Sequence, residues 1–381
     1  MADVLASRKT QQLTQLASIS DGNHFSIAEN FTDEGIPYYR GQDVTGKPFV
    51  ELSTPKYIDE RSFNEPHMIR SHLKQGDVLL SIVGTIGESS LVTSTQPATC
   101  SCKLAILRPK NIDPNYLAVV LQSDYGKSQI ARLTRGAIQM GLLLEDMDQV
   151  LIPSFSKDFE SGISQIVKLS QIAIETSKTT QQQAEQTLLR ILDLENWQPQ
   201  QALSYERKAS DVFAAERLDA EYYYPEKTAA LKFLESLPGK TVGKMFVSIR
   251  DLWQPDTASK NQQVQNYDLT DALSPFLDTE KEPVYPEEIS STKKKLSQGQ
   301  IIVSRLRSYL KEIALVLHDT NIPMVASTEF IVLQPTGQMN IETLMVYLRS
   351  ILPQTIFKWS QDGSNHPRFD EKELLNLSRP V

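Results

Sequence analysis

The sequence predicts an α+β protein: two similar mixed α/β domains joined by a long coiled-coil-type spacer helix. Three observations predict it. The stretch Ile163–Gln198 holds no glycine and no proline, with Gly162 just before it and Pro199 just after. The residues on either side of that stretch carry the same short strings in the same order. Each half also has apolar runs cut by glycine turns, and a helix start after a run that ends in proline. The first domain is set at residues 1–155, the spacer at 156–200 and the second domain at 201–381.

Residues 1–16 read as a short polar helix. Gly35–Arg40 reads as a turn into a strand, and Gly41–Gly46 as the loop after it. In Leu73–Ser81 a turn centred on Gly76 feeds an apolar strand, which Gly84-Thr85-Ile86-Gly87 interrupts before Leu91-Val92 opens another. Leu104–Leu107 is a buried-strand candidate that stops at Pro109. Asp113 and Pro114 start a helix to about Gln122. The carboxylate can satisfy free N–H groups of the first turn, and proline has no N–H to lose there. Arg132–Gly141 reads as a loop, and Leu142–Val150 leads into Ile152-Pro153.

The spacer is rich in Gln, Glu, Ala, Leu and Lys, which lose little rotamer freedom in a helix. Its apolar residues cluster at the two ends, around Ile163–Ile174 and Ala184–Leu194, while Ser177–Gln183 is polar. At 1.5 Å per residue such a helix reaches roughly 50 Å. A lone helix of that length is marginal unless its apolar stripe packs on something. Ile163, Ile166, Val167, Leu188, Ile191 and Leu192 are therefore the candidate partner-binding residues.

After the spacer comes a loop, Arg217–Pro225, and a helix to Pro238-Gly239. Then the first half recurs. Leu73–Gly76 (LKQG) matches Leu296–Gly299 (LSQG), 223 residues on; Ser101–Pro109 (SCKLAILRP) matches Ser327–Pro335 (STEFIVLQP), 226 on. Leu121–Ser123 matches Leu348–Ser350, and Gly136 and Pro153 match Gly363 and Pro380, all 227 on. This is a domain duplication rather than a short solenoid repeat. The copies differ most where loops are expected: Gly84–Gly87 faces Arg307–Leu310, and Thr134–Gly141 faces Gln361–Arg368. Shared scaffold with divergent polar loops is the pattern of two readers of different ligands.

Bulk composition excludes more than it assigns. The net charge of −8 argues against a general nucleic-acid binder, yet leaves a site-specific one open, because binding depends on where Lys and Arg sit. No apolar run is long enough to span a bilayer, so no membrane association is expected and the location is read as cytoplasmic. Cys100 and Cys102 read as a reduced pair, and the five histidines show no ligand spacing, so no metal site is expected.

Catalytic signatures are missing. Asp113-Pro114-Asn115-Tyr116 has Asn where an adenine methyltransferase needs a second proline, and it reads as a helix start. There is no Walker A string, and Asp256 lies far in sequence from Asp370-Glu371-Lys372. The chain is read as non-catalytic.

The polar loops carry the binding chemistry. Arg305, Arg307, Ser308, Tyr309 and Lys311 follow one strand directly, and Asn365, His366 and Arg368 share another stretch. The first half offers Arg40, Gln42, Thr85, Arg132, Arg135 and Gln139 in comparable loops. Arg and Lys contact phosphate or take guanine O6/N7, and Asn and Gln pair with adenine. Any one of these can be a solvated surface residue; as sets in both halves they read as DNA contacts. Lys293–Lys295 reads as a solvated strand edge or a phosphate patch.

With repeat and spacer together, the sequence resembles the DNA-specificity (S) subunits of Type I restriction-modification systems. The residues that carry the resemblance are Gly35–Arg40, Leu73–Ser81 with Gly84–Gly87, Leu104–Pro109 with Ile112–Pro114, and Arg135–Gln139. In the second half they are Arg217–Pro225, Ser327–Val332 and Gly363–Arg368. The resemblance implies two target-recognition domains, each reading one half of a bipartite site in double-stranded DNA. It implies as partners the methyltransferase (modification) subunits and a restriction (motor-nuclease) subunit. S-adenosylmethionine, ATP and Mg would belong to those partners, with no cofactor in this chain. Family members also carry a second spacer-like helix after the second domain. Val381 falls where Ser154 falls in the first copy, so that helix is expected from another chain or from a longer form of this one. Two alternatives stay open: a related system with methyltransferase and nuclease on one partner polypeptide, and a non-DNA coiled-coil scaffold with duplicated protein-binding domains.

Overall fold

The computed structural model describes residues 9–136, 140–198, 202–363 and 365–380. The chain forms two compact units, Met1–Ser177 and Lys178–Val381.

The first unit is built on an antiparallel four-stranded sheet in the order Ala17–Asp21, Leu104–Pro109, Val78–Ser81, Ser89–Leu91. The central strand is apolar on both faces because both are covered. Ala105 and Leu107 face a helical layer with Leu117 and Leu121, while Leu104 and Ile106 pack with Tyr39, Val44 and Cys100. A second small sheet joins Phe31–Thr32, Tyr57–Ile58, Ile36–Tyr39 and Thr99–Cys100. The helix Pro114–Gln122 starts as its sequence demands: the Asp113 carboxylate accepts N–H from Asn115 and Tyr116 at 2.8 and 3.2 Å.

The second unit repeats this plan. Its sheet runs Phe246–Ile249, Phe330–Pro335, Ile301–Ser304, Ile313–Leu315, and the register is conserved between units: Val78 faces Leu107 and Leu91, Ile301 faces Leu333 and Leu315. The turn below is kept as well. Gly76 and Gly299 both sit at positive φ (+89° and +81°), where a side chain would be strained. Each unit is closed by a two-stranded ribbon, Thr10–Gln12 with Leu151–Pro153 and Gly239–Thr241 with Ser378–Pro380.

The long helix spans Lys157–Ile191, 35 residues, so it starts before Gly162 and stops short of Gln198. Its start is capped, because Ser156 Oγ accepts the Phe159 N–H at 3.4 Å and the Glu160 carboxylate accepts the Phe155 N–H at 3.0 Å. That carries the helix through Gly162 at a cost of about 1 kcal/mol. The chain leaves the helix at Asp193, with φ +54°, and Leu192 and Leu194 turn into the second unit's core.

Three further expectations change. Among residues 9–16 only Leu13–Leu16 is helical, with Leu13 and Leu16 buried; Thr10–Gln12 is ribbon strand instead. Arg132 lies in the last turn of the helix Asp124–Leu133, not in the loop after it. Lys293–Lys295 does not form a sheet edge. It lies in an inner strand of the second unit's own small sheet, ordered Leu252–Trp253, Lys293–Leu296, Met324–Ser327, Gln265–Tyr267, and each ammonium has a protein acceptor: Asp268 at 3.1 Å, the Phe330 carbonyl at 2.7 Å and Asp251 at 3.3 Å.

Candidate nucleic-acid interface

In the first unit, an open concavity of about 710 Å³ brings together Arg40, Gln42, Thr85 and Lys103 beside Tyr38. Buried Asp43 shapes its rim by accepting the N–H groups of Arg40 (2.8 Å) and Ser53 (2.7 Å), which folds Gly41–Asp43 into one tight turn. Arg40 is half-committed: its guanidinium donates to the Thr54 carbonyl at 2.7 Å, while its buried Nε lies 3.7 Å from the Asp43 carboxylate and makes no hydrogen bond among the described residues. Gln42, Thr85 and Lys103 are exposed. Burial pushes the Tyr38 phenol up to about 12, so this wall stays neutral.

The other first-unit candidates do not join this group. The Arg135 guanidinium is held by the buried Asp146 carboxylate, and the Arg135 backbone pairs with Gly141 at 2.9 Å in both directions. Arg132 is exposed on its helix, and Gln139 lies outside the described residues.

In the second unit, a concavity of about 620 Å³ gathers Arg217, Arg305, His366 and Arg368, with Asp362 and Glu373 on its wall. Arg368 grips the Glu329 carboxylate through Nε at 2.9 Å and Nη2 at 2.6 Å, and Arg305 Nε reaches the same carboxylate at 3.2 Å. The Arg368 guanidinium, with Arg305 beside it, holds Glu329 below the usual carboxylate range. Arg307 takes a left-handed backbone (φ +48°) and puts its Nη2 3.4 Å from His366 Nδ1. Asn365 is exposed in the same loop as His366.

Ser308, Tyr309 and Lys311 depart from the set expected of that stretch. Ser308 is buried, and its hydroxyl accepts from Gln361 Nε2 at 2.7 Å, which makes it a loop anchor. Tyr309 and Lys311 turn to a different hollow of about 520 Å³, lined also by Leu189, Trp197 and Ile351. The left-handed turns at Arg307 and Lys311 redirect the chain between them.

Two residues escaped the sequence reading. Lys103 lies in the repeat string Ser101–Pro109, which reads as scaffold rather than as a polar loop. Arg217 could have been found from its spacing to Asp219, which it meets at 2.6 and 2.7 Å while donating to the Gln361 carbonyl at 3.0 Å. Beneath it Lys227 is buried, its Nζ 3.3 Å from the Tyr222 ring centre and 3.5 Å from Glu373; desolvation lowers its pKa to about 8.

The long helix divides its apolar residues. Ile163 and Val167 pack on the first unit's core, Leu188 packs on the second's, and Leu192 belongs to that core. These four pack within their own units. Ile166 and Ile191 remain 65% and 71% exposed.

Among the described residues no cluster of three or more His, Cys, Asp or Glu is placed to hold a metal, and no helix is long and apolar enough to cross a membrane. No family model matches the chain. Over 192 residues it is 24% identical to the Type I restriction enzyme MjaVIII specificity subunit of Methanocaldococcus jannaschii. The chain is similar to a Type I specificity subunit. The match takes in 48% of this chain and 44% of that relative, so it spans less than half the relative's length. Among solved structures, the Type I restriction-modification S subunit from M. genitalium has a TM-score of 0.42 at 12% identity, over 90% of this chain and 77% of that one. The HsdS subunit from Thermoanaerobacter tengcongensis has a TM-score of 0.32 at 12% identity, over 97% and 83%.

Proposed function

We propose that this chain is the sequence-specific DNA-recognition subunit of a restriction-modification complex. Each unit reads one half of a bipartite site in double-stranded DNA, and the chain positions methyltransferase and nuclease subunits there. The observation that carries the reading is one fold built twice with the same register, each copy presenting a concavity with its own set of polar side chains: Arg40, Gln42, Thr85 and Lys103 in the first, and arginines set among carboxylates in the second. Similarity to a specificity subunit supports the same assignment.

On this reading the chain's mechanism is positioning. Its side chains contact phosphates and base edges, and methyl transfer and cleavage take place on partner chains that carry S-adenosylmethionine, ATP and Mg. The long helix sets the gap between half-sites, and its exposed Ile166 and Ile191 face modification subunits. The complex acts in the cytoplasm, where the DNA is.

Titration of duplex DNA with the full chain and a Type I modification (methyltransferase) subunit, at rising salt, tests the reading. Affinity falling steeply and linearly on a log–log plot is expected, because cations on the chain displace counterions from phosphates. Absence of salt-dependent DNA binding would leave the scaffold alternative in its place.

A further inference from the structure

The two units place opposite charges at one position of the duplicated fold. Lys103 and Glu329 each stand one residue before the central strand. Each gives its carbonyl to the residue after the neighbouring strand: Ile82 N–H to Lys103 at 3.0 Å, Arg305 N–H to Glu329 at 3.2 Å. The third element repeats too, since Leu142 N–H donates to Ile82 at 3.0 Å and Phe369 N–H to Arg305 at 3.1 Å. Val83 bridges Gly141, and Leu306 bridges Arg368. Three positions thus correspond: Ile82 with Arg305, Lys103 with Glu329, Gly141 with Arg368.

Each trio carries a single net positive charge, assembled differently. The first unit has a lone exposed lysine beside a buried isoleucine and a glycine. The second has two arginines sharing one glutamate. The carboxylate offsets repulsion between the two guanidiniums; it takes the Nε/Nη2 edge of Arg368 and the Nε of Arg305, while Arg368 Nη1 donates to the His366 carbonyl at 2.9 Å. Among the described residues the terminal nitrogens of Arg305 make no hydrogen bond, and its side chain is 42% exposed. A guanidinium fixed along one edge presents its remaining N–H groups in a set plane, the geometry that a guanine O6/N7 pair requires. A lysine is a point charge on a flexible stem and discriminates less.

We propose that Glu329 is a positioning residue that holds Arg305 and Arg368 together as one base-reading pair, and that in the first unit its counterpart Lys103 is itself the DNA contact. The proposal rests on the DNA-recognition reading and adds which residues decide what each half-site must contain.

The test is selection from random-sequence duplex DNA by the full chain with its methyltransferase partner, followed by sequencing of the enriched pool. Native chain is compared with Glu329→Gln, Arg368→Lys and Lys103→Gln. The native chain enriches a two-part motif. Glu329→Gln and Arg368→Lys each lose preference by about tenfold or more at one or two base positions of one part. The other part stays unchanged within the same molecule, which a merely misfolded variant would not show. Lys103→Gln alters only the opposite part. If Glu329→Gln and Arg368→Lys change neither part, or blur both equally, the positioning proposal is overturned while DNA recognition stands. If Lys103→Gln alters the part that Glu329→Gln alters, the correspondence is wrong. A native chain that enriches no motif overturns the recognition reading itself.

Discussion

Arg108 meets the Asp77 carboxylate through two parallel N–H···O bonds of 2.8 and 2.7 Å, and in the second unit Gln334 and Gln300 hold the same two places at 3.0 Å. Asp77 and Gln300 also accept the N–H three residues before them, from Lys74 and Ser297, both at 2.8 Å. One turn is therefore tied to the central strand by an ion pair in one copy and by neutral amides in the other. Removing the acid costs the Arg108 guanidinium its counter-ion, leaving it the His72 carbonyl at 3.0 Å, and strands a backbone N–H, whereas removing the amide loses only neutral bonds. Asp77→Ala is expected to cost about 2–4 kcal/mol and Gln300→Ala about 1–2 kcal/mol. Chemical denaturation of the two variants decides the order; a smaller loss for Asp77→Ala contradicts it.

Glu329 predicts a pH dependence. Its pKa is depressed in the folded chain by Arg368 and Arg305. A group depressed on folding contributes stability above its unfolded pKa, about 4.3 for Glu, and loses it as pH falls through the folded value. The stability difference between the native chain and Glu329→Gln is therefore flat from neutral pH to about 5 and shrinks below about 4. Thermal unfolding of both across that range checks it. A difference that grows on acidification would mean that the carboxylate is not held by its arginines.

Ile166 and Ile191, two of the exposed isoleucines of the long helix, give a third expectation. Ile166→Lys and Ile191→Lys touch no core, so unfolding free energy should move by no more than about 0.5 kcal/mol. Co-purification with the methyltransferase subunit should be lost or strongly reduced. Leu188→Ala and Leu192→Ala should do the reverse, destabilising the second unit, because those side chains fill its core. Normal co-purification of both lysine variants would remove the helix from the partner surface.

Much of the fold was legible because its signals are local. A strand buried on both faces leaves an unbroken apolar run, as in Leu104–Leu107, and the turn before Val78 needs a glycine at positive φ. Asp113-Pro114 marked its helix start for the same reason. The helix boundary at Gly162 misled because one glycine inside a long, capped helix costs little. Side-chain roles were less legible, since partners come from distant segments. Asp146 claims Arg135, Gln361 anchors Ser308, and Asp268, the Phe330 carbonyl and Asp251 neutralise a lysine run that reads as a solvated edge or a phosphate patch. The repeat strings already set Lys103 opposite Glu329, but its place beside Arg40 and Gln42 comes from segments far apart in the chain.

The central claim is that each unit reads one half of a bipartite DNA site. Methylome sequencing of the host with the native chain, without it, and with Arg305→Ala plus Arg368→Ala tests this most directly. The account predicts a methylated two-part motif that vanishes without the chain, and that in the double variant loses specificity in one part while keeping the other. An unchanged methylome without the chain, or equal loss of both parts in the double variant, would contradict it.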